Sequence, residues 1–426
     1  MRPLLPCRTR RPSHRLLVLA SIALASAVRL VYGLLVNDPM GGADADTYHA
    51  AGEVIAGQGL FSDSIPGVPY WPAGYPALVG ATYWLVGSVR AVVVLQVLLL
   101  AVGTYCAYRL TATLLDERTG VVAAVLLSAS PALVAAPTVL MYEVPLGVAM
   151  VGAFLLLARA AAGRPIAPAV GAGVLLAVAA AIQPKALLPA ILGALWLSLT
   201  TRRHVAATLV LLLALCGPAA LAARTVAAEG EPVAAATLGV TMRIGMHDGA
   251  DGGYQPTPAP TGPTARELAD EDGELLRASL RWATENPRRA LVLTGPKALN
   301  FWSPLAGSEG SRGTWFHSFD LRRVLPPSGG LATLWSLFRA LWTTGTIALM
   351  AAGAVVVWRR RPASCALLAI PVLSFLAISL VTIGDPRFRL PVAPFYTALI
   401  AAAVVAGLNL SIRGDRSDRA PGATPA

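Results

Sequence analysis

Ten apolar runs, several of them shorter than the ~20 residues an α-helix needs to cross a bilayer, take up about two-fifths of this chain. They are Leu16–Val36, Val89–Tyr108, Gly120–Ala136, Val144–Leu157, Ala167–Ile182, Leu187–Leu199, Val205–Ala222, Leu337–Trp358, Ala363–Ile383 and Pro391–Leu410. A backbone surrounded by hydrocarbon must satisfy its own N–H and C=O groups, so the pattern predicts an all-α multi-pass membrane protein. With 55% hydrophobic and only 13% charged residues among 426, a set of water-soluble domains is excluded.

The formal net charge of +11 would, in a soluble protein, point to nucleic acid. Sorted by loop, the charge has another origin. Alternate connections carry Arg2, Arg8, Arg10, Arg11 and Arg15, then Arg109 and Arg118, Arg159 and Arg164, Arg202 and Arg203, Arg359 to Arg361, and Arg413, Arg416 and Arg419. These connections hold 17 basic and four acidic residues, against 17 basic and 19 acidic elsewhere. Basic residues resist translocation, so both termini are expected in the cytoplasm, with the chain in a cell (inner or plasma) membrane and no nucleic-acid partner.

The same bias places the apolar segment Ala73–Gly87 outside the set of spans, since counting it would invert every later loop. It is expected to lie as a helix in the outer interface, where Trp71, Tyr75, Tyr83 and Trp84 suit the headgroup level. The first run carries Ala25-Ser26-Ala27, which resembles a signal cleavage site. At roughly 21 residues it exceeds a usual signal core and is expected to be retained.

The organisation expected is a cytoplasmic Arg-rich segment 1–15, a transmembrane module 16–222 containing outer loop 37–88, and a large extracytoplasmic loop 223–336. The last helices, 337–410, and a cytoplasmic tail, 411–426, follow, with no soluble C-terminal domain expected. The large loop opens with a Gly/Pro-rich stretch, Gly245–Pro263, in which His247, Asp248 and Asp251 read as a solvated turn or as helpers of a metal. An acidic helix is expected over Thr264–Asn286, with Thr264 and Glu267 spaced as a capping box. A semi-apolar segment to Trp302 is expected to rest on the membrane. Cys7, Cys106, Cys216 and Cys365 have no metal-type spacing and read as structural or incidental.

Chemistry concentrates in the first outer loop, at Gly41-Gly42-Ala43-Asp44-Ala45-Asp46-Thr47-Tyr48-His49. Paired carboxylates pressed against a membrane suit general-base catalysis, because a carboxylate held partly out of water takes a proton more readily. Either aspartate could instead cap a helix expected over Tyr48–Ile55. Arg29, about two turns inside the first span, is costly unless paired, with lipid phosphate and Asp38 as the two candidate partners.

The run Asp44-x-x-x-Tyr48-His49-x-Ala51, then Gly57-x-Gly59-Leu60-Phe61 and Trp71-Pro72-Ala73-Gly74-Tyr75-Pro76, resembles the first lumenal loop of GT-C fold glycosyltransferases. The nearest branch is glycosyltransferase family 39 with the aminoarabinose-transferase-like group. Met141-Tyr142-Glu143, Gln183-Pro184-Lys185, the stretch from Arg224 to Tyr254, Asn286-Pro287-x-Arg289 with Lys297 and Phe301-Trp302, and Arg387-Phe388-Arg389-Leu390-Pro391 resemble that group's later motifs in order. The chain departs from the group's pattern at Ala73, Gln183 and Thr225.

The resemblance implies an inverting glycosyltransferase, mannosyltransferase-like, that serves the cell envelope. The sugar would move from a polyprenyl-phosphate carrier to a lipid, glycan or protein acceptor on the extracytoplasmic face. It implies Asp44 as general base with Asp46 as fallback, and a substrate site drawn from Tyr48, His49, Tyr75, Glu143, Lys185, Arg224, Lys297, Arg387 and Arg389. The outer-face cations among these would hold the lipid phosphate, and membrane lipid is the surrounding partner. No cofactor is certain, and the resemblance leaves a divalent cation open. Two other classes fit the same spans, a transporter or flippase of lipid-linked sugar and a non-catalytic scaffold.

Overall fold

The computed structural model describes residues 12–40, 43–163, 165–255, 260–304 and 330–417. Gly41, Gly42, Arg164, Arg419, Cys7 with the N-terminal arginines up to Arg11, and residues 305–329 of the large loop lie outside the described residues. Every regular element among the described residues is helical.

Among the described residues sixteen α-helices follow in order. The first four are α1 Pro12–Val31, α2 Ala43–Gln58, α3 Gly74–Val86 and α4 Val89–Leu114. Then come α5 Glu117–Ser128, α6 Pro131–Ala135, α7 Glu143–Ala162, α8 Ile166–Ile182, α9 Leu187–Thr201 and α10 His204–Glu229. The large loop supplies α11 Leu238–Gly245, α12 Ala265–Glu285 and α13 Pro287–Trp302, and the chain ends with α14 Gly330–Arg360, α15 Pro362–Val381 and α16 Ala393–Ser417. A short 3-10 segment, Pro386–Val392, leads into α16.

Among the described residues eight helices are long and apolar enough to span a bilayer, or nine if one bent pair counts as a single span, where the apolar runs predicted ten. The other two runs depart for local reasons. Gly120–Ala136 is broken by 62° between α5 and Pro131–Thr138, because Pro131 cannot continue the preceding hydrogen-bond ladder. The run at Ala167–Ile182 lies in α8, Ile166–Ile182, which is apolar but only 17 residues long.

Arg29 answers that break. Fully buried, it donates through Nε to the Leu133 carbonyl at 2.8 Å and through Nη2 to those of Leu127 and Ser128 at 3.3 and 3.4 Å. A bend in an apolar span strands carbonyls that lipid cannot satisfy, and the guanidinium supplies the donors. Asp38 is not among these partners and accepts from its own turn at Met40 N.

α7 is the axis of the bundle, with 78% of its apolar window buried against 11% for Ala340–Arg360 of α14. It packs on α4, α8 and the 386–392 segment. Backbone contact sets the spacing of its neighbours. A Cβ at Gly217 of α10 would lie 2.2 Å from the Ala177 carbonyl of α8, and one at Gly74 of α3 would lie 2.4 Å from that of Ala181. Small residues let helices approach where the lipid gives no hydrophobic drive of its own.

In the first outer loop α2 and α3 pack as a pair. The second loop folds α11 against α12, whose first turn carries the Thr264–Glu267 capping box. α13 then docks on α15 and on the 386–392 segment. A Cβ at Gly245 would sit 1.8 Å from the Thr382 carbonyl, one at Gly384 2.1 Å from that of Lys297, and Gly384 N donates to Gly252 O at 3.0 Å. The large loop thus grips the chain just before residue 385.

Candidate active site

Three elements converge at one end of α7. α2 begins at Ala43, five residues earlier than predicted, so Asp44 stands in its first turn, and Glu143 stands in the first turn of α7. Unpaired N–H groups and the helix dipole favour an anion at each position. The third element is the 3-10 segment. Asp385 caps it by accepting from Arg387 N at 2.8 Å, Pro386 occupies its first position, and Arg387 turns back toward both helix ends. Gly147 permits this reach, since a Cβ there would lie 3.0 Å from Pro391 Cα.

Arg387 joins the two carboxylates. Its Nη1 lies 2.8 Å from Asp44 Oδ2 and its Nε 3.2 Å from Glu143 Oε1. The side chains of Arg387 and Asp44 keep 15% and 19% exposure, whereas that of Glu143 has none. The guanidinium also stands over the rings of Tyr142 and Phe388, at 5.9 and 5.5 Å from their centroids. Lys185 Nζ lies 3.8 Å from the centroid of the same Phe388 ring, so two cations flank one aromatic side chain. Among the described residues no carboxylate lies within 4 Å of Lys185.

Tyr48, one helical turn after Asp44, completes the wall. Its ring meets Tyr75 edge-on at 4.8 Å and tilts against Trp71 at 5.8 Å. Burial first, and the Asp44 charge second, hold its hydroxyl well above the usual range, so it stays a neutral phenol. Tyr75 lies beneath and donates to Gln96 Oε1 at 3.1 Å, while Gln96 Nε2 donates to the carbonyls of Pro137 and Val139. Asp385 is buried, which pushes its carboxyl up against the pull of Arg387.

Of the residues named from sequence, Asp44, Tyr48, Tyr75, Glu143, Lys185 and Arg387 meet here. The others lie elsewhere. Asp46 is exposed, about 200° around α2 from Asp44. His49 pairs with Tyr83 Oη at 2.7 Å and with Glu53 at 3.5 Å. Arg224 donates to the carbonyls of Leu60 and Ser62 and pairs with Glu229, tying the first outer loop to α10. Lys297 donates to Leu380 O at 3.2 Å, and Arg389 lies over the Trp302 ring at 5.9 Å.

Asp385, Phe388, Tyr142 and Gln96 were not singled out as site residues from sequence. Two left a usable signal, since Asp-Pro initiates turns and a lone Gln inside an apolar span needs partners.

The described residues at this site do not fit a divalent cation. Among the described residues no three His, Cys, Asp or Glu side chains group as ligands, and the charge between Asp44 and Glu143 is supplied by Arg387. In the Gly-rich turn, His247 Nδ1 accepts from Gly249 N, Asp248 from Trp282 Nε1 and Asp251 from Gly253 N.

Comparison with known proteins agrees with this architecture. Residues 72–223, about a third of the chain, match the family model of dolichyl-phosphate-mannose-protein mannosyltransferase. No curated protein sequence matches. The fold is similar to that of ArnT from Cupriavidus metallidurans, solved bound to undecaprenyl phosphate, with a TM-score of 0.51 at 14% identity over 91% of this chain and 59% of that one. It is also similar to the Archaeoglobus fulgidus oligosaccharyltransferase tethered to an acceptor peptide, with a TM-score of 0.50 at 15% identity over 92% and 50%. The chain therefore spans about half the length of the solved structures it matches.

Proposed function

We propose that this chain, with its GT-C membrane fold, is an inverting glycosyltransferase that moves a sugar from a polyprenyl-phosphate carrier to an acceptor on the extracytoplasmic face. The observation that carries the reading is the meeting of Asp44, Glu143 and Arg387, 343 positions apart at the extremes, at one partly open point beside Lys185.

The reaction calls for what stands there. An acceptor hydroxyl must lose its proton as its oxygen bonds to the anomeric carbon, and Asp44 is the partly exposed carboxylate able to take it. The bond from that carbon to the carrier phosphate breaks on the opposite side, its electron pair passes to phosphate oxygen, and configuration inverts. The charge gained there is met by Lys185 and Arg387, held in place before the reaction begins. Tyr48 and Tyr75, both buried, pack against the half-buried Trp71, which leaves the indole as the aromatic face open to a sugar ring. Lys297, Arg224 and Arg389, each engaged elsewhere, hold the scaffold.

Purified protein incubated with a panel of polyprenyl-phosphate sugars should release free carrier from at least one. Asp44→Asn should lower that rate by a factor of about 10² to 10⁴, the usual contribution of a general base, while thermal stability stays close to wild type. An Asp44→Asn protein with full activity refutes the role, and label crossing vesicles without carrier release would instead support transport.

A further inference from the structure

In the site as it stands, the base and the phosphate grip neutralise each other. Arg387 offers Asp44 its Nη1 edge at 2.8 Å and Glu143 its Nε edge at 3.2 Å. These two contacts differ in kind. Glu143 is wholly shielded and sits in the first turn of the most buried spanning helix, and among the described residues Arg387 is the cation it pairs with. Removing Arg387 from it would strand a charge inside the bundle, which is strongly unfavourable. Asp44 keeps 19% exposure and lies at the rim, so water or an incoming group can replace the guanidinium at modest cost.

We propose that the carrier phosphate enters by exchange, taking the Nη1 edge of Arg387 from Asp44 while Glu143 keeps the Nε edge fixed. This rests on the glycosyltransferase reading above and adds an order to it. A guanidinium presents donors on more than one edge in a fixed fork, so it can change one anion while holding the other. Lys185, flanking the same Phe388 ring, supplies the second cation for a phosphate at that edge. No covalent bond changes in the exchange.

Two consequences follow. Asp44 is tied up as an ion-pair acceptor until carrier occupies the site, and only then can its carboxylate accept a proton from the acceptor hydroxyl. Donor thus binds before acceptor is activated. Glu143 in turn is a positioning residue that acts through Arg387.

The test measures carrier binding without turnover. Nanodisc-embedded protein is titrated with undecaprenyl phosphate as wild type, Asp44→Asn, Arg387→Gln and the double variant, by calorimetry. Asp44→Asn should bind more tightly than wild type by roughly tenfold, a coupling ordinary for contacting charges, because the phosphate no longer competes for Arg387. Arg387→Gln should bind more weakly, and in that background Asp44→Asn should change little. Arg387→Lys, an ammonium without the fork, should keep part of the affinity and lose most of the coupling. Asp44→Ala serves as a second variant if Asp44→Asn does not purify folded.

A gain from Asp44→Asn that persists in Arg387→Gln would mean simple charge repulsion and overturn the exchange. Weaker binding in Asp44→Asn would do the same. Wild-type protein that does not bind the carrier would overturn the glycosyltransferase reading and the exchange with it, whereas binding with additive effects removes only the exchange.

Discussion

Asp44 and Asp46 stand two residues apart in one helical turn and end in opposite surroundings. The first meets Arg387 at 2.8 Å, the second faces outward, and the sequence pattern around Asp44 separated them only through its distance from Tyr48. The chain's two lysines part in the same way. Lys185 lies against an aromatic ring beside the site, and Lys297 is buried under the carbonyl of Leu380. Burial lowers the Lys297 ammonium from 10.5 to about 8. Below about 8 both folded and unfolded chains carry its proton, and the folded one bears the cost of a buried charge. Between about 8 and 10.5 only the unfolded chain keeps the proton, so this group makes stability rise with pH across that window. Thermal denaturation of detergent-solubilised protein from pH 7 to 10.5 should show that rise in wild type, and Lys297→Met should flatten it. An unchanged slope would mean that Lys297 titrates normally.

Helix positions were legible wherever apolar length and caps act locally, as with the Thr264–Glu267 capping box of α12. Breaks and packing distances were less so. Pro131 announces an interruption, but the 62° bend and its neutralisation by Arg29 depend on a helix about a hundred residues away. Glycines show the same divide, since all look alike in an apolar run. A Cβ at Gly217 would meet the Ala177 backbone at 2.2 Å, whereas at Gly295 of α13 it would meet nothing within 4 Å. Gly217→Val should therefore force α10 off α8 and cost about 1–3 kcal/mol, the usual range for overpacking. Gly295→Ala should be neutral or stabilise by about 0.5–1 kcal/mol, as helix propensity dictates. Parallel thermal-shift measurements on the two variants check the contrast, and equal effects would contradict the tight α8–α10 contact.

At the scale of the whole molecule, we propose that charge asymmetry between alternate loops orients the chain, with Asp44, Lys185 and Arg387 outside and Arg359 to Arg361 inside. A membrane-impermeant thiol reagent applied to intact cells should label Asp46→Cys and spare Arg360→Cys until the membrane is opened, with native cysteines removed in both. Labelling of Arg360→Cys in sealed cells would reverse the orientation and move the proposed site to the cytoplasm.

The membrane-spanning, all-helical character and the identity of the elements that bear chemistry follow from the sequence alone. Apolar run length, loop charge and capping act within a few residues or through the bilayer, which any chain meets in the same way. Which cations serve the site was decided only by the tertiary structure. Lys185, Arg224, Lys297, Arg387 and Arg389 are alike as basic residues expected on one face, and each is distinguished by what another segment brings against it. For Lys297 and Arg224 those are carbonyls, for Arg389 an indole, for Lys185 the Phe388 ring, and for Arg387 alone two carboxylates from helices on either side.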